Sequence, residues 1–469
     1  MLRTFTIAVA IFTAIAGALP SGAMAVPITA RQKLAIDESL HEWLAQTGAP
    51  SVSIAVVSDG QIAYAKAYGN ARLHPAIRAT PNTRYVLYSA TKQFTAAAIL
   101  LLQQQGKLRL DDKISSYFPG LTGADQITIR QLLSHTAGYN EMWPEDFVTI
   151  QKSKPTSLVD IAKEWGKQPL DFVPGSKWVY SNTNFIIAAA IAEKVSDESL
   201  LALWQKGIFQ PLHMDSAIDS DGPPLSGKDA AGYTQYAGGR SRLAANPGAG
   251  WKSAAGGLAM TASDLAKWDI SLMNRSLLDQ QSYDAFYKSV KLNDGRDSNY
   301  SLGLGVFDGH QHSDLGHGRF TLEHGGGGPG YVSESRVWPN NKFAIVALTN
   351  SDWTNRDDPV DRVAYLLLPP EEDEKRARKI VEEFRAGKID RSLFTDDANF
   401  YLNPEVLAEQ KAGLAKMGPI RAFDLQSEIL RKDRQRKLWR IVAAHGVLNA
   451  VEFDLPDGKI QEFMVSKIQ

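Results

Sequence analysis

The chain has 469 residues, of which 44% are hydrophobic and 22% charged, so it has room for two or three domains with cores of their own. Its 51 basic residues balance 52 acidic ones, which excludes a strong field that would attract nucleic acid or an anionic membrane surface. It contains no cysteine, so no disulfide holds the fold together and a large core has to do so.

The N-terminus has the pattern of a secretory signal peptide. Arg3 supplies a positive charge, an apolar run extends from Phe5 to Leu19, and Ala23-Met24-Ala25 forms a small-residue cleavage site. The apolar run is shorter than the roughly 20 residues of a typical membrane span. We therefore expect residues 1–25 to be removed, leaving a periplasmic or secreted protein with no stable membrane span. An uncleaved membrane anchor is the alternative.

The next part of the chain has the signals of a helix followed by antiparallel strands. Thr29 is a candidate N-cap, and Asp59-Gly60 is a strong hairpin turn. A later run of residues that is apolar on nearly all sides predicts a buried helix. The predicted elements are a helix at 29–46, strands at 51–57, 61–68 and 84–88, and a buried helix from 93 to 106.

Residues 93–270 read as helical with proline and glycine punctuation, and strands return near residue 300. The later elements are strands at 300–307, 319–323, 330–337 and 343–349, and a helix at 360–368. Strands at both ends of a helical stretch predict a fold of the α/β (α+β) class. We expect one domain over residues 26–370, with an antiparallel sheet, helices on both of its faces and an inserted all-helical lobe.

The remaining residues are expected to form a second domain. The charge run at 371–376 has no apolar residue and reads as a solvated linker that runs into a helix. Helix signals follow, and then short strands at 439–444, 448–454 and 460–465. Residues 371–469 are therefore predicted to be a small α+β domain, to which we assign no catalytic role.

A serine and a lysine stand at the start of the buried helix. Ser89 lies where free backbone N–H groups favour developing negative charge, and Lys92 is one helical turn further on. A serine beside a buried amine is an activated-nucleophile arrangement. Lysine titrates near 10.4, so this role requires a pKa lowered by roughly 3 units, which burial can supply. The same spacing also occurs by chance, with the lysine in solvent.

Two further stretches carry candidate site residues. Tyr180 and Asn182 are two apart in an extended piece, so they project to the same side, where a phenol can move a proton and an amide can bind a substrate. A core tyrosine with a helix-capping asparagine is the alternative. The run from His324 to Gly330 is glycine-rich, and such a backbone can approach a ligand closely and aim N–H groups at it. A flexible loop is the alternative there.

Taken in order, Ser89-x-x-Lys92, Tyr180-x-Asn182 and His324-x-Gly326 resemble the three motifs of the serine β-lactamase and penicillin-binding-protein superfamily. The similarity is greatest to the branch of class C β-lactamases, D-alanyl-D-alanine carboxypeptidases and esterases, and it covers about residues 30–368. Supporting matches occur at 132–138, 174–175, 255–258 and 261–265.

This resemblance implies a β-lactamase-like fold, a serine hydrolase that works through an acyl-enzyme, and no cofactor or metal. The roles it implies are Ser89 as the acylated nucleophile, Lys92 and Tyr180 as the proton-transfer pair, Asn182 as a substrate contact, and an oxyanion hole from the backbone N–H groups of Ser89 and Gly327. His324, Gly325 and Gly326 form the third motif and are expected to bind substrate.

The third motif departs from the Lys-Thr-Gly that class C β-lactamases usually carry. His324-Gly325-Gly326 lacks the lysine charge and the threonine hydroxyl that are expected to hold a substrate carboxylate. The histidine form is more similar to certain D-amino-acid peptidases and carboxypeptidases. We therefore expect a D-amino-acid peptide, an ester or a related small acyl compound as substrate, and no dedicated β-lactamase.

Other functions stay open at this point. A penicillin-recognition or peptidoglycan-binding module with little or no turnover, or a weak β-lactamase, would carry the same motifs. A metal site is a further alternative, built from His310, His312, His317 and His324, although the spacing of recognised ligands is missing. His135 is a catalytic candidate too, but a histidine at a helix end is more often structural. The oligomeric state is open.

Overall fold

The structure is a computed structural model that describes residues 28–145, 147–308, 319–368, 372–431 and 434–467. Its helices are α1 (Ala30–Thr47), α2 (Lys92–Gln104), α3 (Ile129–Leu133), α4 (Leu158–Trp165), α5 (Asn182–Ser196), α6 (Leu200–Trp204), α7 (Ser253–Gly256), α8 (Ala262–Asn274), α9 (Gln280–Tyr287), α10 (Asp357–Leu367), α11 (Glu372–Ala386), α12 (Asp396–Tyr401) and α13 (Pro404–Met417). None of the described helices is long and apolar enough to cross a membrane.

The strands of the first part are β1 (Ser51–Ser58), β2 (Gln61–Arg72), β3 (Ile77–Arg78), β4 (Tyr85–Val86), β5 (Ile218–Asp219), β6 (Tyr233–Thr234), β7 (Arg242–Leu243), β8 (Leu258–Met260), β9 (Gly305–Phe307), β10 (Thr321–Glu323), β11 (Gly326–Gly328), β12 (Tyr331–Trp338) and β13 (Phe343–Thr349). The last four are β14 (Ile420–Arg431), β15 (Arg434–Ala443), β16 (Gly446–Asp454) and β17 (Ile460–Lys467).

The main sheet joins the two ends of the first part of the chain. Its strand order within the described residues is β3-β2-β1-β13-β12-β10-β9, with β11 paired to β12, and the pairs are antiparallel. The central pair sets Val52 opposite Thr349 and Ser58 opposite Phe343. Both central strands are buried on both faces, because helices cover each side of the sheet.

Alternate residues of the central strands face two different cores. Ile54 and Ile345 pack on α1 and α10, whereas Ala55 and Val346 belong to the larger core that contains α8 and α2. α1 begins where the sequence predicts, since the Thr29 side chain accepts a hydrogen bond from the Gln32 N–H in a capping box. The predicted sheet with helices on both faces is confirmed. The inserted lobe is mostly helical and also contains the short strands β5 to β8.

The predicted strand at 84–88 is largely wrong. Only Tyr85–Val86 is extended, and it pairs with β8 in a small sheet of order β4-β8-β5 instead of joining the main sheet. The strand ends because Tyr88 adopts φ +46° and begins a 3₁₀ turn, Tyr88–Thr91, that leads into α2. The helix α3 is short and ends at Leu133, before His135, which has φ +57°.

The C-terminal residues form a four-stranded antiparallel sheet, in the order β14-β15-β16-β17, with a separate core that includes Phe384 and Trp439. The prediction of a solvated linker at 371–376 is wrong from residue 372 on, because α11 begins there. Arg376 donates hydrogen bonds to Glu452 and Asp454, each at 2.7 Å. β14 was not predicted. The division into domains at 26–370 and 371–469 stays a prediction.

Candidate active site

Ser89 lies in the 3₁₀ turn between β4 and α2, and its neighbours hold that turn in place. Tyr88 has a positive φ, a conformation that non-glycine residues seldom adopt outside sites that need it. Its hydroxyl donates to the carbonyl of Pro329 at 2.9 Å, and the Ser333 hydroxyl donates to the carbonyl of Leu87 at 2.6 Å. Contacts from β12 and the glycine-rich run therefore fix the backbone on which Ser89 sits.

The amine of Lys92 is enclosed by three oxygen atoms. Its Nζ atom lies 3.1 Å from Oγ of Ser89, 2.7 Å from Oδ1 of Asn182 and 2.8 Å from the carbonyl oxygen of Ala255. The side chain has no solvent exposure. The sequence prediction that serine and lysine share a face is thus matched by the distance between the two groups.

Burial lowers the pKa of Lys92 from 10.5 to about 7, and the negative charge of Glu141 opposes this shift. A substantial fraction of the amine is therefore uncharged at neutral pH. Its Nζ atom also lies 4.8 Å from the ring centroid of Tyr180 and 5.5 Å from that of Phe185, so two aromatic rings keep water away from it.

Tyr180 reaches Ser89 from the stretch before α5. Burial raises the pKa of its phenol, and a hydrogen bond with the Ser89 side chain acts in the opposite direction. Desolvation is the larger of these two effects. The phenol therefore keeps its proton at neutral pH and is a proton donor in the resting site.

Asn182 is the first residue of α5, and Glu141 holds it from the loop between α3 and α4. The carboxylate accepts from the Asn182 backbone N–H at 2.6 Å and from its side-chain Nδ2 at 3.0 Å. Its Oε1 atom also accepts from the Trp143 N–H at 2.6 Å. Sequence reasoning missed Glu141, since a single acid 41 residues before Asn182 forms no recognisable motif.

The glycine-rich run forms β11 beside the serine. An ideal Cβ on Gly326 would lie 1.9 Å from the carbonyl oxygen of Leu87 and 2.8 Å from the backbone N of Ser89, so only glycine fits there. Gly327 is exposed and has open space at the same position. β11 therefore runs against the backbone of the nucleophile and leaves Gly327 on the open side.

His324 and Gly325 lie behind this strand. His324 is buried, its Nε2 atom lies 2.7 Å from the Tyr300 hydroxyl, and its Nδ1 atom lies 2.6 Å from the Gly325 carbonyl oxygen. Burial, helped by the charge of Lys92, lowers the pKa of this imidazole to about 3, so it is neutral. A Cβ on Gly325 would meet Glu334 at 2.2 Å. The contact of His324 and Gly325 with substrate stays a prediction.

A cavity of about 530 Å³ opens in front of Ser89. It is bounded by Ser89 and Asn182 on one side and Gly327 on the other. Its apolar wall consists of Tyr88, Met142, Trp143, Trp251 and Val332, and its ionisable lining residues are Glu145, Lys252 and Asp352. The Lys252 amine donates to the Ser220 carbonyl, and Glu145 pairs with Lys152. The volume and the mostly apolar wall with a few polar groups are typical of a small-molecule site.

The histidines of the metal alternative are not brought together by anything that the structure describes. His310, His312 and His317 lie outside the described residues, and both ring nitrogens of His324 have the partners given above. Within the described ranges, no group of three or more histidine, aspartate or glutamate side chains is arranged to hold a metal ion.

The chain is similar to several known proteins. The chain is 33% identical over 204 residues to Protein flp of Staphylococcus aureus, which covers 42% of this chain and 40% of that protein. The chain thus spans well under half the length of this curated relative. In fold it is similar to the D-amino acid amidase of Ochrobactrum anthropi SV3, with a TM-score of 0.61 and 23% identity over 74% of this chain and all of the other.

A second structural likeness is to the octameric penicillin-binding protein homologue of Pyrococcus abyssi. The TM-score is 0.62 with 20% identity, and the match covers 94% of this chain and all of the other. The Beta-lactamase family model matches residues 32–368, which is most of the chain. The predicted membership is confirmed: this chain belongs to the Beta-lactamase family, within the serine β-lactamase and penicillin-binding-protein superfamily of serine hydrolases.

Proposed function

We propose that this serine hydrolase cleaves a D-amino-acid peptide or amide, or a related small ester, through an acyl-enzyme on Ser89. The observation that carries the proposal is the 3.1 Å separation between Ser89 Oγ and Lys92 Nζ, in a place where the pKa of the amine falls to about 7. A hydroxyl beside an uncharged amine has a base within hydrogen-bond reach.

The two carbonyl-type oxygens around Lys92 direct its base function. An uncharged amine has two N–H bonds and one lone pair. The Asn182 and Ala255 oxygens, at 2.7 and 2.8 Å, accept the two N–H bonds. The lone pair is then left for the third neighbour, the Ser89 hydroxyl, which donates its proton to Nζ as Oγ attacks the substrate carbonyl carbon.

The new bond turns the substrate carbonyl into a tetrahedral oxyanion. The Ser89 and Gly327 N–H groups are the proposed donors to it, supported by the close approach of β11 to the Ser89 backbone. Tyr180, protonated and hydrogen-bonded to Ser89, gives its proton to the leaving amine or alkoxide, and the Lys92 ammonium restores that proton. Water then attacks the acyl-enzyme carbonyl and loses a proton to the same pair, which gives that proton to Ser89 Oγ as the bond between Oγ and the acyl carbon breaks and the acid is released.

The substrate class is supported by what the cavity offers. Trp143 and Trp251 give it an aromatic wall, and the Lys252 amine is turned to a protein carbonyl instead of standing free for a substrate carboxylate. The fold likeness to a D-amino acid amidase points in the same direction. His324 and Gly325 come just before β11 and Gly326 begins it, and the contact of all three with substrate stays part of the proposal. A peptide or small-molecule substrate is thus proposed, with no cofactor.

The test compares the intact protein with Ser89→Ala. Hydrolysis of p-nitrophenyl esters, D-amino-acid amides and D-alanyl peptides is measured, together with labelling by a fluorophosphonate and by a fluorescent penicillin. We expect turnover and labelling at Ser89 in the wild type only. Labelling without turnover of any substrate would favour a penicillin-recognition module, and equal activity of the variant would end the proposal.

We also propose that the protein is exported to the periplasm or the medium after loss of residues 1–25. The support is the charged start, apolar run and Ala23-Met24-Ala25 site, which lie outside the described residues. Expression of the full chain, followed by fractionation and N-terminal sequencing, tests this. A mature protein that begins at Val26 is expected, and a product that keeps Met1 in the cytoplasm would contradict it.

A further inference from the structure

Glu141 makes a set of contacts that goes beyond capping a helix. It accepts the first N–H of α5, at 2.6 Å from the Asn182 backbone, and negative charge at a helix N-terminus is favourable. Its other oxygen accepts from the Asn182 side-chain Nδ2 at 3.0 Å. The same side chain therefore grips Asn182 by its backbone and by its amide.

The orientation of an asparagine amide is decided by its hydrogen-bond partners, because its oxygen and nitrogen ends have nearly the same shape. An ionised carboxylate only accepts hydrogen bonds, so the Asn182 NH₂ group has to face Glu141. The amide oxygen is then turned the other way, where it lies 2.7 Å from Lys92 Nζ. Glu141 thus determines which atom Asn182 presents to the amine.

We propose that Glu141 is a positioning residue for the reaction at Ser89, acting by holding the Asn182 amide with its oxygen toward Lys92. The inference deepens the proposed function and rests on it. With the oxygen in place, one N–H of the uncharged amine is used by Asn182 and a second by Ala255, so the lone pair meets Ser89. With the amide reversed, its NH₂ group would draw the lone pair away from the serine hydroxyl.

The charge of Glu141 gives this role a separate readout. Its negative charge stabilises the ammonium form of Lys92, against the effect of burial. The other titratable groups that face the amine are His135, His324 and Tyr180, and burial keeps all three neutral near pH 7 by lowering the pKa of the imidazoles and raising that of the phenol. Removing the Glu141 charge therefore shifts the titration of Lys92 downward.

The decisive variant is Glu141→Gln, with Glu193→Gln as its matched control. Glu193 is also partly buried and accepts a backbone N–H, that of Leu200 at 2.8 Å, but it lies at the other end of α5, about 16 Å along the helix from Asn182. The glutamine amide offers an oxygen that accepts and an NH₂ group that donates. If its oxygen accepts from the Asn182 backbone N–H, its NH₂ group faces the Asn182 NH₂ group, unless the Asn182 amide reverses.

For Glu141→Gln we expect kcat/KM to fall about 10- to 100-fold, the loss typical of removing a partner that orients a metal ligand. The acidic limb of its pH profile should move down by about half a unit or more. The control should match the wild type in both. Glu141→Asp, which keeps the charge and accepts only, should lose rate while its acidic limb stays at the wild-type pH.

Three outcomes overturn the inference. The first is a Glu141→Gln variant with wild-type kcat/KM, and the second is a loss of rate with an unmoved acidic limb, which a purely structural cap would give. The third is a Glu141→Asp variant whose acidic limb moves away from the wild-type pH. If Glu141→Gln does not fold, the Glu141→Asp variant decides the test. Failure of the proposed function looks different, because the wild type itself would then show no turnover above Ser89→Ala.

Discussion

The imidazole of His135 stacks against the phenol ring of Tyr180, with the two ring centroids 4.3 Å apart and the planes inclined by 36°. Its Nδ1 atom accepts a hydrogen bond from the Ser181 N–H at 3.2 Å. The ring is fully buried, and burial together with the charge of Lys92 keeps its pKa well below the usual range. His135 is thus a neutral wall behind the proposed proton donor.

His135→Ala should destabilise the protein by about 2–4 kcal/mol, because it leaves a cavity beside Tyr180 and an unsatisfied N–H at Ser181. Urea unfolding at pH 7 measures this loss. We also expect slower labelling of Ser89 by a fluorophosphonate, since the phenol loses its support. A variant as stable as the wild type would show that the ring contributes little to packing.

Lys92→Met should change the pH dependence of stability. Between about pH 7 and 10.4 the unfolded chain holds a proton on Lys92 that the folded protein has lost, so the wild-type free energy of unfolding rises by about 1.4 kcal/mol per pH unit from this group. Below pH 7 both states are protonated and the slope disappears. The stability of the variant minus that of the wild type should thus be largest at pH 6 and shrink through pH 9.

Urea unfolding at pH 6, 7, 8 and 9 checks this, with Ser89→Ala as a control that keeps the amine and should follow the wild-type slope. A difference between Lys92→Met and the wild type that is the same at all four pH values would mean that Lys92 titrates as an ordinary exposed lysine.

The pH profile of catalysis should have an acidic limb set by the same amine. Because the uncharged form is the proposed base, kcat/KM should fall tenfold per pH unit below about pH 7 and level off above it. Lys92→Arg should be inactive at every pH, since a guanidinium stays charged. Initial rates between pH 5 and 9 decide this. An acidic limb near pH 4, where carboxylates titrate, would point to a different base.

Gly326→Ala should damage the site far more than its small size suggests. The added methyl would lie 1.9 Å from the Leu87 carbonyl oxygen, so the backbone that carries Ser89 has to move. We expect kcat to fall at least about 100-fold, because shifts of about 1 Å have costs of this order. Gly120→Ala is the matched control, since nothing lies within 4 Å of its added methyl, and it should keep wild-type rates. Equal rates in both variants would contradict the packing argument.

Trp143→Ala should weaken the binding of substrates with bulky apolar groups. Trp143 and Trp251 meet edge to face at 6.4 Å between centroids and form part of the cavity wall. We expect KM for a D-phenylalanine amide to rise about tenfold, with a smaller change for the alanine amide, because less apolar area is buried. Kinetics with the two amides provide the comparison. Equal changes for both would show that the substrate side chain lies elsewhere.

The motifs in the sequence identified the residues that meet around the serine because each motif is local. Ser89 and Lys92 are one turn apart. Tyr180 is hydrogen-bonded to Ser89, and Asn182 is hydrogen-bonded to Lys92. Glu141 and Ala255 take part through contacts between distant segments, which no spacing along the chain announces. The end of the strand before Tyr88 could not be predicted either, because the positive φ of this tyrosine is imposed by the packing around it.

The fold class followed from strands at both ends of a helical stretch, whereas several boundaries did not. The strand Ile420–Arg431 was missed because its pairing shifts register between Leu425 and Ser427, which interrupts the alternation that marks a strand. The start of α11 was read as a linker because residues 371–376 are all charged. Arg376, the last residue of that run, pairs with Glu452 on β16, and a local reading of the sequence does not see this contact between distant segments.

The pairing of β1 with β13 also orders events during synthesis. Ser51–Ser58 leaves the ribosome almost 300 residues before Phe343–Thr349, its neighbour at the middle of the main sheet. Until then the hairpin of β1 and β2 has an unpaired edge along β1, and a two-stranded hairpin alone is only marginally stable in water. A nascent chain of this protein therefore stays without its main sheet until the gene has been read nearly to residue 349.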